Sequence, residues 1–332
     1  MAITTLGLFD LQVNGYAGVD FNDPAITPDA LDHALAAMRK AGVTGCLPTI
    51  ITAHPDQLAE RLAALDAATR SSRLGPSMVP GYHLEGPFLR AEAGYQGCHP
   101  ADAMRDPDAA MVQGLSAGLG RPILMITLAP ERQGSAEAIR ALKKAGMAVS
   151  IGHSAADYAQ IEMAVAAGAS CSTHLGNGLP QHLPKLNNTL LAQLGAEGLW
   201  ACFIADGHHI APDALRALVR LKGVDKSILV SDAVLAAAAE PGQYEFAGMS
   251  IERDIDGMVR VPGHDNLAGS ALEMDQAVRN VVRWNIASFD TAIIMAANNP
   301  RRAIDAAASH HGIALPADEI DWDGEMRVLE RS

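Results

Sequence analysis

Eight short apolar runs recur along the chain, most of them followed by a stretch of helical length, and no other feature narrows the possible folds so far. They are Leu6–Val13, Val43–Ile50, Met78–Leu84, Pro122–Leu128, Ala148–Ile151, Ala169–Thr173, Leu199–Ala205 and Ser227–Val230. The runs are continuously apolar rather than alternating. That pattern predicts a parallel sheet covered by helices on both faces. Eight such units predict a closed (β/α)₈ TIM barrel rather than an open doubly wound sheet. No G-x-G-x-x-G follows the first run, which weighs against dinucleotide binding. Helices are expected at Thr27–Ala41, with Thr27-Pro28 as cap and first residue, and finally at Leu267–Trp284, Phe289–Ala297 and Pro300–His310. Residues 1–332 therefore read as a single barrel domain, with a hairpin inserted near 240–262 and a helical C-terminal tail. The polar stretch Gly86–Pro107 reads as a loop.

At 332 residues the chain fits such a barrel. Its net charge of −13, with no run of Lys or Arg, argues against nucleic acid and anionic membranes as partners. A small-molecule substrate remains, even an anionic one if a few cations lie close to the site. The N-terminus lacks the pattern of a signal peptide, and no apolar run approaches the ~20 residues that span a bilayer, so a cytoplasmic location is expected. The four cysteines form no C-x-x-C and read as buried reduced thiols.

A barrel opens the C-terminal ends of its strands on one face, where its chemistry is done. VPGYHLEGPF delivers Glu85 to that rim, VSIGHS delivers His153 and CSTHLGNG delivers His174. Taken singly, each has a bland reading: a turn-capping carboxylate, the neighbour of a helix cap, a satisfied core histidine. Three apolar runs ending on metal-capable side chains point instead to one shared site. One carboxylate and two imidazoles suit Zn²⁺ or a similar divalent ion, which acidifies water and polarises a carbonyl. Asp232, after the eighth run, is the candidate general base and acid. His209 is the candidate donor to a carbonyl oxygen that gains charge. Its neighbour His208 reads as structural, and His182 lies in a polar loop. Gln12 and Asn14 follow the first run.

The motifs HLEGPF, GHS, STHLGNG, ADGHH, VSDA and LAGS, in this order from Gly7 to about Ile304, resemble the N-acetylglucosamine-6-phosphate deacetylase family of the amidohydrolase superfamily. The resemblance implies a metal-dependent amidohydrolase barrel with one divalent ion on Glu85, His153 and His174. Zn²⁺ is expected, and Fe²⁺, Mn²⁺ or Co²⁺ suit the same donors. It also implies Asp232 as acid/base, His209 on the substrate carbonyl, and sugar contacts from His99, Asn177, Gly178 and the backbone of Leu267, Ala268 and Gly269. The resemblance also implies that a homodimer is possible, since active sites in the family are often completed across a dimer, and it leaves the oligomeric state open. Four departures stand out. Gln12-Val13-Asn14 replaces the H-x-H that binds a second metal in many superfamily members, so a mononuclear site is expected. Lys185 is the nearest cation where the family carries a phosphate-binding Arg, with His182 in the same loop. Leu175-Gly176-Asn177-Gly178 alters the motif and is expected to enlarge the space beside the metal. The family's β-sandwich is absent or vestigial. An N-acetyl amino sugar, phosphorylated or not, is the leading substrate. A different small or cyclic amide is the alternative, and a catalytically inactive binding barrel a third reading.

Overall fold

The computed structural model describes residues 2–263 and 266–329. Eight parallel strands stand side by side in chain order: β1 (Leu8–Val13), β2 (Val43–Ile51), β3 (Tyr82–Glu85), β4 (Ile123–Leu128), β5 (Ala148–Ile151), β6 (Ala169–Ser172), β7 (Trp200–Ile204) and β8 (Ser227–Val230). The edges meet just beyond the C-terminal ends of β1 and β8. There Val13 bridges Ala233, the Asp232 N–H donates to the Gln12 carbonyl (2.9 Å) and the Asn14 N–H donates to the Ala233 carbonyl (2.7 Å). The result is a nearly closed (β/α)₈ barrel. Every residue of β1, β2 and β4 is buried, because one face fills the barrel and the other lies under helices. The first helix, α1 (Pro28–Lys40), shows how the outer layer is built. Thr27 caps it by accepting from the Ala30 N–H, Pro28 opens it, and Leu31, Ala34, Leu35 and Met38 form its buried stripe.

Three expectations need correction. Residues 75–78 form a helical turn, and β3 begins only at Tyr82. The expected helix from Leu267 starts at Met274 and runs to Arg283, because residues 267–270 are committed to bridges: Leu267 pairs with Arg260 and Ser270 with Ala233. Leu6 lies outside the barrel, in an antiparallel sheet joining Ile3–Leu6, Glu319–Trp322 and Val328–Leu329. This small sheet joins the two chain ends, where the sequence predicts that a β-sandwich is absent or vestigial. It is anchored by the buried Trp322, whose indole N–H donates to Thr5 Oγ1 (2.8 Å) and whose ring meets Phe289 edge-on.

Strands Gly242–Phe246, Met249–Arg253 and Val259–Arg260 form an antiparallel sheet after β8. Its Phe246, Ile251 and Val259 join Ile51, Val234 and Ala268 in a second apolar cluster. This cluster seats the inserted sheet over the C-terminal end of the barrel.

Barrel closure depends on a buried carboxylate. Asp10 accepts from the N–H groups of Gln12 (3.2 Å) and Ser231 (3.2 Å) and from the Ser231 hydroxyl, tying β1 to β8. Burial raises its pKa to about 7, against the lowering effect of those bonds. A carboxyl raised on folding stabilises the protein below its unfolded value near 3.8, and that contribution disappears as pH rises to about 7. Asp10→Asn fits the same pocket, because its amide can donate to Ser231 Oγ while the serine proton turns to the Gln12 carbonyl, 3.3 Å away. Chemical denaturation across pH 4–8 should show the wild type losing stability relative to this variant, by up to roughly 4 kcal/mol. Parallel curves would show that Asp10 does not titrate in that window.

Candidate active site

The C-terminal strand ends converge on a cavity of about 440 Å³. Glu85 is the last residue of β3, while His153, His174 and Asp232 each lie two residues beyond β5, β6 and β8. All four are buried and line the cavity. Those last three have left-handed backbones, with φ of 49° at His153, 27° at His174 and 49° at Asp232. A non-glycine residue held there costs on the order of 1–3 kcal/mol, and the gain is in aim: each side chain turns from the end of its strand towards a common point.

Two imidazoles approach the same carboxylate oxygen. His174 Nε2 lies 3.0 Å and His153 Nε2 3.3 Å from Glu85 Oε1, and His99 Nε2 lies 3.7 Å from Oε2. The His153 Nδ1–H donates to the Tyr95 carbonyl (2.6 Å), so its Nε2 lone pair faces the centre. That Nε2 and the Nδ1 atoms of His99 and His174 are buried without a hydrogen-bond partner among the described residues. The cluster can bind a metal ion. Tetrahedral bonds of ~2.0–2.1 Å place ligand atoms about 3.3–3.4 Å apart, close to the two shorter separations. Glu85, His99 and His153 also keep one ligand atom each within 4.8 Å of the others. Burial pushes the Glu85 carboxyl up, but the surrounding His99, His153 and His174 outweigh it and hold the group well below the usual carboxylate range. His174 is displaced upward: burial opposes its charge, and the bond and charge of Glu85 prevail. Burial, helped by the neighbouring His153 and His174 and opposed by Glu85, drives His99 down to about 3.

Across the cavity, Asp232 Oδ1 accepts from the Asn14 side-chain amide (2.8 Å). Burial raises the Asp232 carboxyl to about 6, against the lowering effect of His174. Asp206 Oδ2 accepts from His209 Nδ1–H (2.6 Å), leaving Nε2 as the ring's other polar atom. Burial pushes Asp206 up, yet the His209 bond and two loop N–H groups leave it below its ordinary value. Beneath the cavity lies a directed hydrogen-bond chain. His83 donates from Nδ1 to the Leu11 carbonyl (3.1 Å), so Nε2 accepts from the Thr127 hydroxyl (2.8 Å). Thr127 must then accept from Thr173 (2.6 Å), which in turn accepts from Ser150 (2.6 Å). Burial lowers His83 to about 4, in keeping with a neutral ring.

Two curated relatives and a solved structure that resemble this chain along most of its length bear names of one kind. The chain is 35% identical over 296 residues to the N-acetylgalactosamine-6-phosphate deacetylase of Escherichia coli O157:H7, covering 89% of this chain and 76% of that one. It is 32% identical to the N-acetylglucosamine-6-phosphate deacetylase of Bacillus subtilis, covering 88% and 74%. A variant of the Mycobacterium smegmatis N-acetyl-D-glucosamine-6-phosphate deacetylase, solved with N-acetyl-D-glucosamine-6-phosphate, superposes with a TM-score of 0.88 at 29% identity, covering 98% and 84%. The chain belongs to the N-acetylglucosamine- and N-acetylgalactosamine-6-phosphate deacetylase family. No protein-family profile matches it.

The deacetylase cavity gathers most of the residues the sequence singled out. His99, Asn177, Gly178, Leu267 and Gly269 line it with His208 and His209, whereas Ala268 turns into the second apolar cluster. Gln12 is buried beside the β1–β8 seam. Lys185 and His182 are exposed and lie outside the lining. At Gly178 the expected extra space is absent: a Cβ there would lie 2.6 Å from His153 Nδ1, so the imidazole already fills it. Gly269, at φ 67°, passes close enough to Asp232 that a Cβ would lie 3.1 Å from its carbonyl. Cys98 is half-buried and lines the cavity, while the other three cysteines are buried and free. Asp206, His83, Tyr95 and Arg260 escaped the sequence reading. Only Asp206 carried a local signal, a carboxylate three residues before His209 in ADGHH.

Proposed function

We propose that this protein removes the acetyl group from an N-acetylated amino sugar 6-phosphate, yielding acetate and the free amine. The observation that carries this reading is the meeting of Glu85, His153, His174 and Asp232 in one buried cavity of a chain whose relatives bear that activity in their names. We assign Glu85, His153 and His174 as ligands of a single divalent ion, Zn²⁺ in the first instance, with Fe²⁺, Mn²⁺ and Co²⁺ acceptable to the same donors. The ion would activate water and polarise the acetyl carbonyl. His174 is preferred to His99 because its nitrogen is nearer the oxygen that His153 also faces. A single ion is assigned because Asn14 is committed to Asp232 and an amide is a poor ligand.

Asp232 takes a proton from the attacking water and later delivers it to the departing nitrogen. Asn14 holds its Oδ1 and leaves Oδ2 for this transfer. His209 donates from Nε2 to the carbonyl oxygen as negative charge builds there, and the Asp206 carboxylate supports the protonated ring this requires. Asp206→Asn should therefore lower kcat by roughly ten- to a hundredfold with metal content unchanged; an unaltered kcat would remove Asp206 from this role. No helix among the described residues is long and apolar enough to cross a membrane. A sugar phosphate does not cross a bilayer unaided, which supports a cytoplasmic workplace.

The deciding assay measures acetate released by metal-reconstituted protein from N-acetylglucosamine-6-phosphate, N-acetylgalactosamine-6-phosphate and unphosphorylated N-acetylglucosamine. Preference for one of the phosphorylated sugars is expected. Equal or faster turnover of the unphosphorylated sugar would keep the chemistry and overturn the substrate.

A further inference from the structure

Resting on that reading, we infer that Arg260, on the inserted sheet, binds the anionic group of the substrate. Met258 and Arg260 both line the cavity, while Val259 between them is buried in the second apolar cluster. This is strand alternation, which gives residues i and i+2 a common face. Backbone pairing ties Arg260 to the catalytic side of the cavity. Arg260 bridges Leu267, Ser270 bridges Ala233, and the Ser270 N–H donates to the Asp232 carbonyl (2.9 Å). Three residue steps lead from Leu267 to Ser270, at most about 10 Å of chain. A sugar ring with its phosphorylated arm can bridge from an amide beside Asp232 to a guanidinium at that remove.

The guanidinium is available for an anion. Its Nε lies 2.8 Å from the Met258 sulfur, and a thioether is a weak acceptor. Among the described residues no carboxylate forms an ion pair with Arg260. The cavity also holds Glu85 and Asp232 in a chain of net charge −13, so an anionic substrate needs a local cation to enter. Lys185, the cation expected from the sequence, lies outside the lining. Arg260 also offers the planar two-pronged donor geometry that matches a phosphate, which a lysine lacks.

The test compares metal-loaded wild type, Arg260→Ala, Arg260→Lys and Lys185→Ala on the preferred phosphorylated sugar and its unphosphorylated counterpart. Thermal midpoints confirm folding, and competitive inhibition by inorganic phosphate is read in parallel. Arg260→Ala should reduce the phosphorylated-to-unphosphorylated ratio of kcat/KM at least tenfold, mainly through KM, and weaken phosphate inhibition by a similar factor. Arg260→Lys should recover part of both. An unchanged ratio in Arg260→Ala, equal losses on both sugars, or a ratio that falls in Lys185→Ala instead would each overturn the inference. A wild type without preference for the phosphorylated sugar would overturn the proposed substrate, whatever the variants do.

Discussion

Asp232→Asn should fold, bind the same amount of metal as the wild type and lose about 10²–10⁴-fold in kcat, the range that a positioned general base contributes. The substitution keeps the shape of the side chain. Its oxygen can still accept from the Asn14 amide, which lies 2.8 Å from Oδ1 in the wild type. The backbone that holds it, with Asp232 N–H on the Gln12 carbonyl and Ser270 N–H on the Asp232 carbonyl, is untouched. What disappears is the ability to take up a proton and return it. The pH profile gives a second reading. Asp232 serves as a base only when ionised, so kcat/KM should rise with pH through its titration. In the metal-free protein burial places that titration near pH 6, and a bound cation should move it lower by favouring the carboxylate. The acid limb should be present in the wild type and missing from the residual activity of Asp232→Asn. Near-normal turnover, or an unchanged acid limb in the variant, would remove Asp232 from the proton transfer.

The barrel was legible because its eight strands are buried on both faces, which forces unbroken apolar runs that ordinary loops do not imitate. The same logic located Glu85, His153 and His174, since each ends or closely follows such a run. Where the reading failed, the cause was structure made by partners far away in the chain. Residues 267–270 read as the start of a long amphipathic helix, but Ala233 and Arg260 engage them first. The terminal sheet pairs Ile3–Leu6 with Glu319–Trp322, a contact spanning nearly the whole sequence, with strands too short to announce themselves. Arg260 fell within the expected hairpin near 240–262 and drew no role, because its meaning depends on the inserted sheet folding back over the barrel mouth. Gly178 misled in the opposite direction. A missing side chain suggested room, whereas the room belongs to the imidazole of His153.

Glu85→Gln should have the other large effect, because Glu85 is the one carboxylate among the assigned metal ligands. Gln keeps the volume but replaces a charged oxygen with an amide, a poor ligand for a divalent ion. Metal bound after dialysis should fall below a tenth of the wild-type amount, and deacetylation should fall with it. Elemental analysis and a metal-binding titration would measure the loss directly, without reference to turnover. The metal-free proteins should differ too. In the wild type His99, His153 and His174 together displace Glu85 downward, and Glu85 displaces His174 upward, while burial opposes both charges. The carboxylate's contribution to stability is present above its unfolded value, near 4.5, and is lost as pH falls through its lower folded value. The imidazole's contribution is present below its unfolded value, near 6.5, and is lost as pH rises through its higher folded value. Between those limits the metal-free wild type holds a buried ion pair, and Glu85→Gln should lower its thermal midpoint most in that window. Metal must displace the His174 proton, so wild-type affinity should weaken as the solution is acidified through that titration, and binding should release protons. Full metal occupancy in Glu85→Gln would overturn the ligand assignment, and with it the reason for the strained backbones of His153 and His174.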